Sequence, residues 1–182
     1  MPISSRELRR RAAKIKLLLM DVDGVLTDGR LYYVPNPSGG FLETKAFHSR
    51  DGLGVRFARE AGLKLGVISG RCSPVVEHRI REMGVHYAYQ SVLHKLEPYQ
   101  SLLKATRLKD DAVCYIGDDL IDLPILKRAG LAVGVGNGHA LLRRHVHYWT
   151  RNPGGSGAVR ETIELILAAQ GKLAAVLQNY MK

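Results

Sequence analysis

Cysteine is almost missing from this chain: Cys72 and Cys114 are the only two, and their spacing fits neither a disulfide framework nor a paired metal motif. Two reduced thiols are expected, in a reducing cytoplasm. Runs of eighteen or more apolar residues are also absent, so no membrane-spanning helix is expected. The basic opening Arg9-Arg10-Arg11 leads to an apolar run from Leu17 to Met20, but Asp21 ends that run too soon for a secretory core. Repeats, linkers and low-complexity tracts are missing as well. The 182 residues are therefore read as one soluble domain, spanning 1–182, with a single well-buried core. Acidic residues are few, 17 against 27 basic ones, and six of the basic ones fall within the first sixteen residues. That excess favours an anionic partner: a phosphorylated small molecule, nucleic acid or an acidic membrane surface. Aromatic residues do not interleave with the N-terminal cations, which weighs against stacking on nucleic-acid bases.

Apolar runs of strand length alternate with segments of helical period, the pattern of a parallel sheet covered by helices. The predicted strands are Ile15 to Met20, Leu65 to Ile68, Tyr87 to Tyr89, Ala112 to Ile116 and Leu131 to Val135. A helix is predicted after Arg71, with Ser73 as N-cap, Pro74 at its first position, Val76, Ile80 and Met83 on one face and Gly84 as the stop. Near the end, Val159, Ile163, Ile166 and Leu167 begin a helix expected to run on through Leu177, over about 157–181, with an apolar excess that suggests a subunit contact. Residues about 28–48 interrupt the alternation. Leu31 to Val34, a Pro35 to Gly40 turn and Phe41 to Phe47 read as a β-hairpin. Ligands of open α/β sheets bind beyond the carboxyl ends of the strands, so this hairpin should form a small flap over the site.

Two acidic groups each follow a predicted strand. Asp21-Val22-Asp23-Gly24-Val25-Leu26-Thr27-Asp28-Gly29 comes after the first, and Gly117-Asp118-Asp119-Leu120-Ile121-Asp122 after the fourth. Carboxylates this close repel one another unless a cation or donors compensate them, and a hard divalent ion such as magnesium takes oxygen ligands of this kind. A carboxylate can attack phosphorus covalently, and a second carboxyl two residues on can protonate the leaving oxygen and then activate water. At another strand end, Ile68-Ser69-Gly70-Arg71 offers a hydroxyl, a flexible amide and a guanidinium to a phosphate, and Lys95 offers a point charge.

Asp21-Val22-Asp23-Gly24-Val25, Ser69, Lys95 and Gly117-Asp118-Asp119 together resemble the four ordered motifs of the haloacid dehalogenase-like phosphatases, over the span from Ile15 to Val135. The resemblance implies an α/β, Rossmann-like parallel sheet with helices on both faces, a hairpin flap after the first strand and no large cap domain. It further implies Asp21 as nucleophile, Asp23 as acid and base, Ser69 and Lys95 as phosphate-holding groups, Mg2+ bound by Asp21, the Asp23 carbonyl and Asp118, and Asp119 and Asp122 as supporting acids. A narrower resemblance is carried by Lys45-Ala46-Phe47, Arg50-Asp51-Gly52-Leu53-Gly54, Gly117 to Pro124 and Gly154 to Glu161. These blocks are similar to the family of 3-deoxy-D-manno-octulosonate 8-phosphate phosphatases, which act in lipopolysaccharide precursor biosynthesis and form homotetramers. That likeness implies a phosphorylated sugar acid as partner, with no nucleic acid or membrane. It also implies His48, Arg50, Asp51, Gly52, Gly70 and Arg71 as substrate-binding residues. Arg50 and Arg71 suit the carboxylate of such a sugar.

The chain departs from that family at three places, with His48 where Asn is usual, Ser156 where Arg is frequent, and Gly136-Asn137-Gly138 near where Ala-Asp-Ala or a similar triplet is usual. His48 is expected to donate the same hydrogen bond. Two further features carry no site: Val133 to Gly138 lacks the spacing of a dinucleotide loop, and His139, His145 and His147 lack the acid or cysteine partners of a metal site. Two other readings remain open on the sequence: a phosphatase for another acidic sugar phosphate such as a nonulosonate 9-phosphate, and a basic nucleic-acid-binding protein.

Overall fold

The computed structural model describes residues 3–181. In chain order its helices and strands are α1 (Ser5–Ala13), β1 (Leu17–Met20), β2 (Tyr32–Pro35), β3 (Phe41–Thr44), α2 (Ser49–Glu60), β4 (Lys64–Ile68), α3 (Pro74–Met83) and β5 (Tyr87–Tyr89). There follow α4 (Leu96–Thr106), β6 (Val113–Gly117), α5 (Leu123–Leu126), β7 (Leu131–Gly134), β8 (Tyr148–Trp149), α6 (Ala158–Ala169) and α7 (Leu173–Gln178). Six strands form a parallel sheet in the order β5-β4-β1-β6-β7-β8, and β2 and β3 pair apart from it as an antiparallel hairpin. The five predicted strands are all present; β8 is an addition, since two residues carry no legible period.

β1 is fully buried along its length, as a central strand covered on both sides must be. Alternate residues go to opposite faces. Leu18 and Met20 join Leu65, Val67, Cys114 and Ile116 in a cluster closed by Ala12 of α1, Phe57 of α2, Val76 and Ile80 of α3 and Ile163 and Ile166 of α6. Leu17 and Leu19 face the other way, with Val113 and Tyr115, against Tyr99 and Leu102 of α4 and Ile125 and Leu126 of α5. Each such fully buried aliphatic side chain contributes about 1.5–3 kcal/mol of transfer free energy.

α3 begins at Pro74 and stops at Gly84 as the sequence indicates, although Ser73 occupies the N-cap position without a side-chain cap bond. The C-terminal segment needs correction: in place of one continuous helix, Gly171 at φ +69° ends the first and two helices result. Their apolar residues do not form a free contact surface either. Val159, Ile163, Ile166, Leu167 and Val176 are buried in this chain's own core. The hairpin carries a run of exposed apolar side chains, with Phe41 72% and Tyr33 57% accessible.

Two residues expected to meet substrate have roles in the fold. His48 caps α2, its Nδ1 accepting from the Arg50 amide at 3.1 Å. The ring accepts at Nδ1, which in a neutral imidazole leaves Nε2 carrying the donor proton, and an Asn carbonyl at this position would cap the helix equally. Asp51 is buried and joins two helices: its carboxylate accepts from the amides of Gly157 at 3.1 Å and Arg160 at 2.8 Å, at the start of α6. Asp51→Ala should therefore destabilise the protein by about 1–3 kcal/mol by leaving two buried amides unpaired. Urea unfolding of the variant checks this; an unchanged midpoint would show that the link is dispensable.

Candidate active site

β1, β4 and β6 are neighbours, and their carboxyl ends bring Asp21, Ser69 and Asp118 to one edge of the sheet. Lys95 reaches the same place from the N-terminal end of α4, buried at 1% exposure. Its ammonium lies 2.9 Å from Asp21 Oδ1 and 2.8 Å from Asp122 Oδ1. Burial opposes a charge on Lys95, but the two carboxylates outweigh it and its pKa is raised.

Asp122 folds back from the turn after β6. It accepts from the Tyr115 hydroxyl at 2.7 Å, from Lys95, and from the amides of Asp118 at 3.0 Å and Asp119 at 3.2 Å. A side chain at Gly117 would run into that carboxylate, with contacts from 2.5 Å, which explains glycine before the two acids. Asp119 caps the same turn through the Leu120 amide at 2.7 Å.

Asp118 is different. Its Oδ1 is buried without a hydrogen-bond partner, and oxygens of Asp21, Asp118 and Asp122 lie within 4.8 Å of one another. Gly24, at φ +87°, lets the loop after β1 approach Asp118 where a Cβ would collide with the carboxylate. Asp122 is saturated by protein donors, so the oxygens free for a cation come from Asp21 and Asp118. The donor set, all oxygen and anionic, suits a hard divalent ion such as magnesium. In its absence burial, reinforced by Asp21 and Asp122, holds Asp118 well above the ordinary carboxylate range; burial and Asp122 raise Asp21 in the same way, against the pull of Lys95.

On the other side of Asp21, Asp23 meets the flap. Lys45, just past β3, has a fully buried side chain whose ammonium sits 2.5 Å from Asp23 Oδ1 and 3.4 Å from Glu43. Arg71 lies 3.8 Å from Asp23 and binds Glu43 at 2.7 Å. Ser69 is buried, its Oγ accepting from the Arg71 amide at 3.2 Å, with Gly70 between them. Asp21, Asp23, Ser69, Gly70, Arg71, Lys95, Asp118, Asp119 and Asp122 thus share one region. His48, Arg50, Asp51 and Gly52 sit elsewhere, on the first turn of α2. Arg50 lines a cleft with Arg151, Arg160, Glu161 and Glu164, and Arg71 is not among the residues lining it. Glu43 and Tyr115 join the site without having been singled out by the sequence, and the sequence assigns no role to Lys45 beyond its place in the Lys45-Ala46-Phe47 block. Glu43 and Lys45 are two residues apart, a spacing that puts both on one face of an extended segment, but nothing local shows that this face closes onto Asp23.

Raised carboxylate pKa values carry a stability consequence. Below the unfolded value near 3.8 the two acids cost nothing; as pH rises through their raised folded values, folding must hold them protonated or charged without compensation, and stability falls. Thermal denaturation in chelator should therefore show stability declining from about pH 4 upward through neutrality, and saturating Mg2+ should remove most of that decline. An identical pH slope with and without Mg2+ would contradict a metal site at Asp21 and Asp118.

Comparison with known proteins agrees with this arrangement. Residues 84–161 match the model of the haloacid dehalogenase-like hydrolases. The 3-deoxy-D-manno-octulosonate 8-phosphate phosphatase of Escherichia coli is 42% identical over 94% of this chain and 89% of its own length. The structure of the enzyme of that name from Moraxella catarrhalis, in complex with magnesium ion, phosphate ion and the sugar acid, superposes with a TM-score of 0.91 at 39% identity, covering 97% of this chain and 99% of that one. The Yersinia pestis structure gives 0.87 at 43% identity, covering 92% and 89%. The chain belongs to the haloacid dehalogenase-like hydrolases without a large cap, in the family of the 3-deoxy-D-manno-octulosonate 8-phosphate phosphatases.

Proposed function

We propose that this protein hydrolyses 3-deoxy-D-manno-octulosonate 8-phosphate to the free sugar acid and inorganic phosphate, with Mg2+, as a step of lipopolysaccharide precursor biosynthesis carried out by a single catalytic domain. The observation that carries the reading is the convergence of Asp21, Asp23, Ser69, Lys95 and Asp118 at one sheet edge, in a chain akin to phosphatases of that specificity over nearly its whole length.

Asp21 is the nucleophile. Its Oδ1 is held by the Val22 amide at 2.7 Å and by Lys95, which leaves Oδ2 to attack phosphorus. An aspartyl phosphate forms as the ester bond breaks, and the departing sugar oxygen takes a proton from Asp23. Asp23 then accepts a proton from water as that water attacks the acyl phosphate, releasing phosphate and restoring Asp21. Ser69 and Lys95 hold the phosphoryl oxygens. Asp21, Asp118 and the Asp23 carbonyl would hold Mg2+, which when bound screens the charge of the incoming phosphate. Lys45 orients Asp23, and Arg71, with 45% of its side chain exposed, is placed to meet the sugar carboxylate. We place the enzyme in the cytoplasm as a homotetramer; the apolar flap is the surface that supports assembly.

Phosphate release across a panel of sugar-acid phosphates tests the assignment, with the octulosonate 8-phosphate expected to be hydrolysed fastest; preference for a nonulosonate 9-phosphate would overturn it. Asp21→Asn should lower kcat by about 10³-fold or more. Lys45→Met should lower kcat about 10²-fold with a smaller change in KM, because it disturbs the proton donor and not the phosphate cradle. Equal losses in kcat and stability, with KM tracking both, would make Lys45 a merely structural lysine.

A further inference from the structure

The opposite edge of the sheet holds a second cavity. Where β1 and β4 begin and α4 and α6 end, a hollow of about 920 Å³ opens, within the roughly 300–1,000 Å³ typical of small-molecule sites. Ile15, Leu63, Tyr87 and Leu108 contribute to an apolar floor, and Lys14, Lys16, Lys64 and Lys172 stand around it. No Asp or Glu is among the lining residues.

Two of these lysines already have partners inside the fold. α1, α2, α4 and α6 all end at this edge, and helix C-termini attract cations. Lys172 Nζ donates to the Ala61 carbonyl, just past α2, at 2.9 Å, and Lys14 lies 3.8 Å from Asp111. Lys16 and Lys64 differ, because among the described residues neither forms an ion pair with a carboxylate. Their backbones are fixed, the Lys16 amide donating to Ala112 at 2.8 Å and the Lys64 amide to the Lys16 carbonyl at 3.1 Å. Both side chains are exposed and line the same cavity, so an anion held there would meet two positive charges. His86, at the start of the adjoining strand, registers the local field: burial, then Lys64 and Arg59, hold its pKa below the ordinary value. The positive rim continues onto α1, where Arg6, Arg9 and Arg10 line a shallower hollow that shares Ala13 and Ala169 with this one.

We propose that this cavity binds a soluble amphiphilic anion, a ligand whose single acidic group lies between Lys16 and Lys64 and whose apolar body covers the floor beneath them. The site lies away from Asp21 and does not depend on the phosphatase reading.

Isothermal titration of the full chain with dodecanoate, kept below its micellar concentration, tests the proposal, with acetate and phosphatidylglycerol vesicles as comparison ligands. Dodecanoate should bind saturably with a stoichiometry of one, and acetate should give no measurable heat. The double variant Lys16→Glu/Lys64→Glu should weaken dodecanoate about tenfold or more, and Ala105→Trp, which fills the floor without altering charge, should weaken it similarly. All variants should retain the wild-type rate of phosphate release, which shows that they are folded. No dodecanoate binding, binding indifferent to both variants, or acetate binding as tight as dodecanoate would each overturn the proposal. Vesicle binding lost in the charge variant but kept in Ala105→Trp would assign the lysines to a membrane surface and overturn it as well.

Discussion

A single buried ammonium holds the carboxylate edge of this sheet together. Lys95 enters a region that already contains Asp21, Asp118 and Asp122, and bonds two of them at 2.8–2.9 Å with almost no solvent contact. Taking charges out of water is costly, and removing one partner of a buried network typically destabilises by about 3–5 kcal/mol. The sheet tolerates the arrangement because Asp122 is fully satisfied by Lys95, Tyr115 and two backbone amides. Negative charge that Lys95 does not neutralise collects on Asp21 and Asp118, and Asp118 Oδ1 finds no donor. A cation held by Asp21 and Asp118 would compensate that charge, and in the proposed mechanism a phosphate ester would then meet metal and lysine together beside the Asp21 oxygen.

The neighbouring acid has the opposite surroundings. Asp23 is two residues from Asp21, yet it faces the flap, where Lys45 and Arg71 bring positive charge and Glu43 ties the two together. Two carboxylates of similar intrinsic acidity are given different partners, one facing the metal side and one facing the substrate side, and that division suits a nucleophile and a proton carrier. In the proposed mechanism the flap contributes to the chemistry through Lys45, which contacts Asp23.

How far the sequence reveals this depends on the kind of signal. Residues such as Leu17 to Met20 announce a strand because their burial on both faces leaves an unbroken apolar run, and acids at its end then mark the site's edge. The Pro74 to Met83 helix was legible from its own cap and period. Lys45 was not, because a charged residue after a hairpin is ordinarily solvated, and only the closing of the flap onto Asp23 buries it. Asp51 and His48 stand within the recognisable Phe47 to Gly54 block; His48 caps its own helix through the nearby Arg50 amide, whereas the Asp51 bond to Gly157 needs a partner distant in the chain. The apolar C-terminal segment misled for a similar reason: whether Ile163 and Ile166 face a neighbour or the chain's own core is a question of tertiary packing.

The central claim is that Asp21 becomes covalently phosphorylated. Rapid acid quenching of the wild-type protein during turnover of a phosphorus-labelled octulosonate 8-phosphate, followed by peptide mapping, tests it directly. The account predicts acid-stable, hydroxylamine-sensitive label on the peptide carrying Asp21, formed in the first turnover and absent without Mg2+. Turnover without any labelled peptide, or label fixed on a different residue, would contradict it.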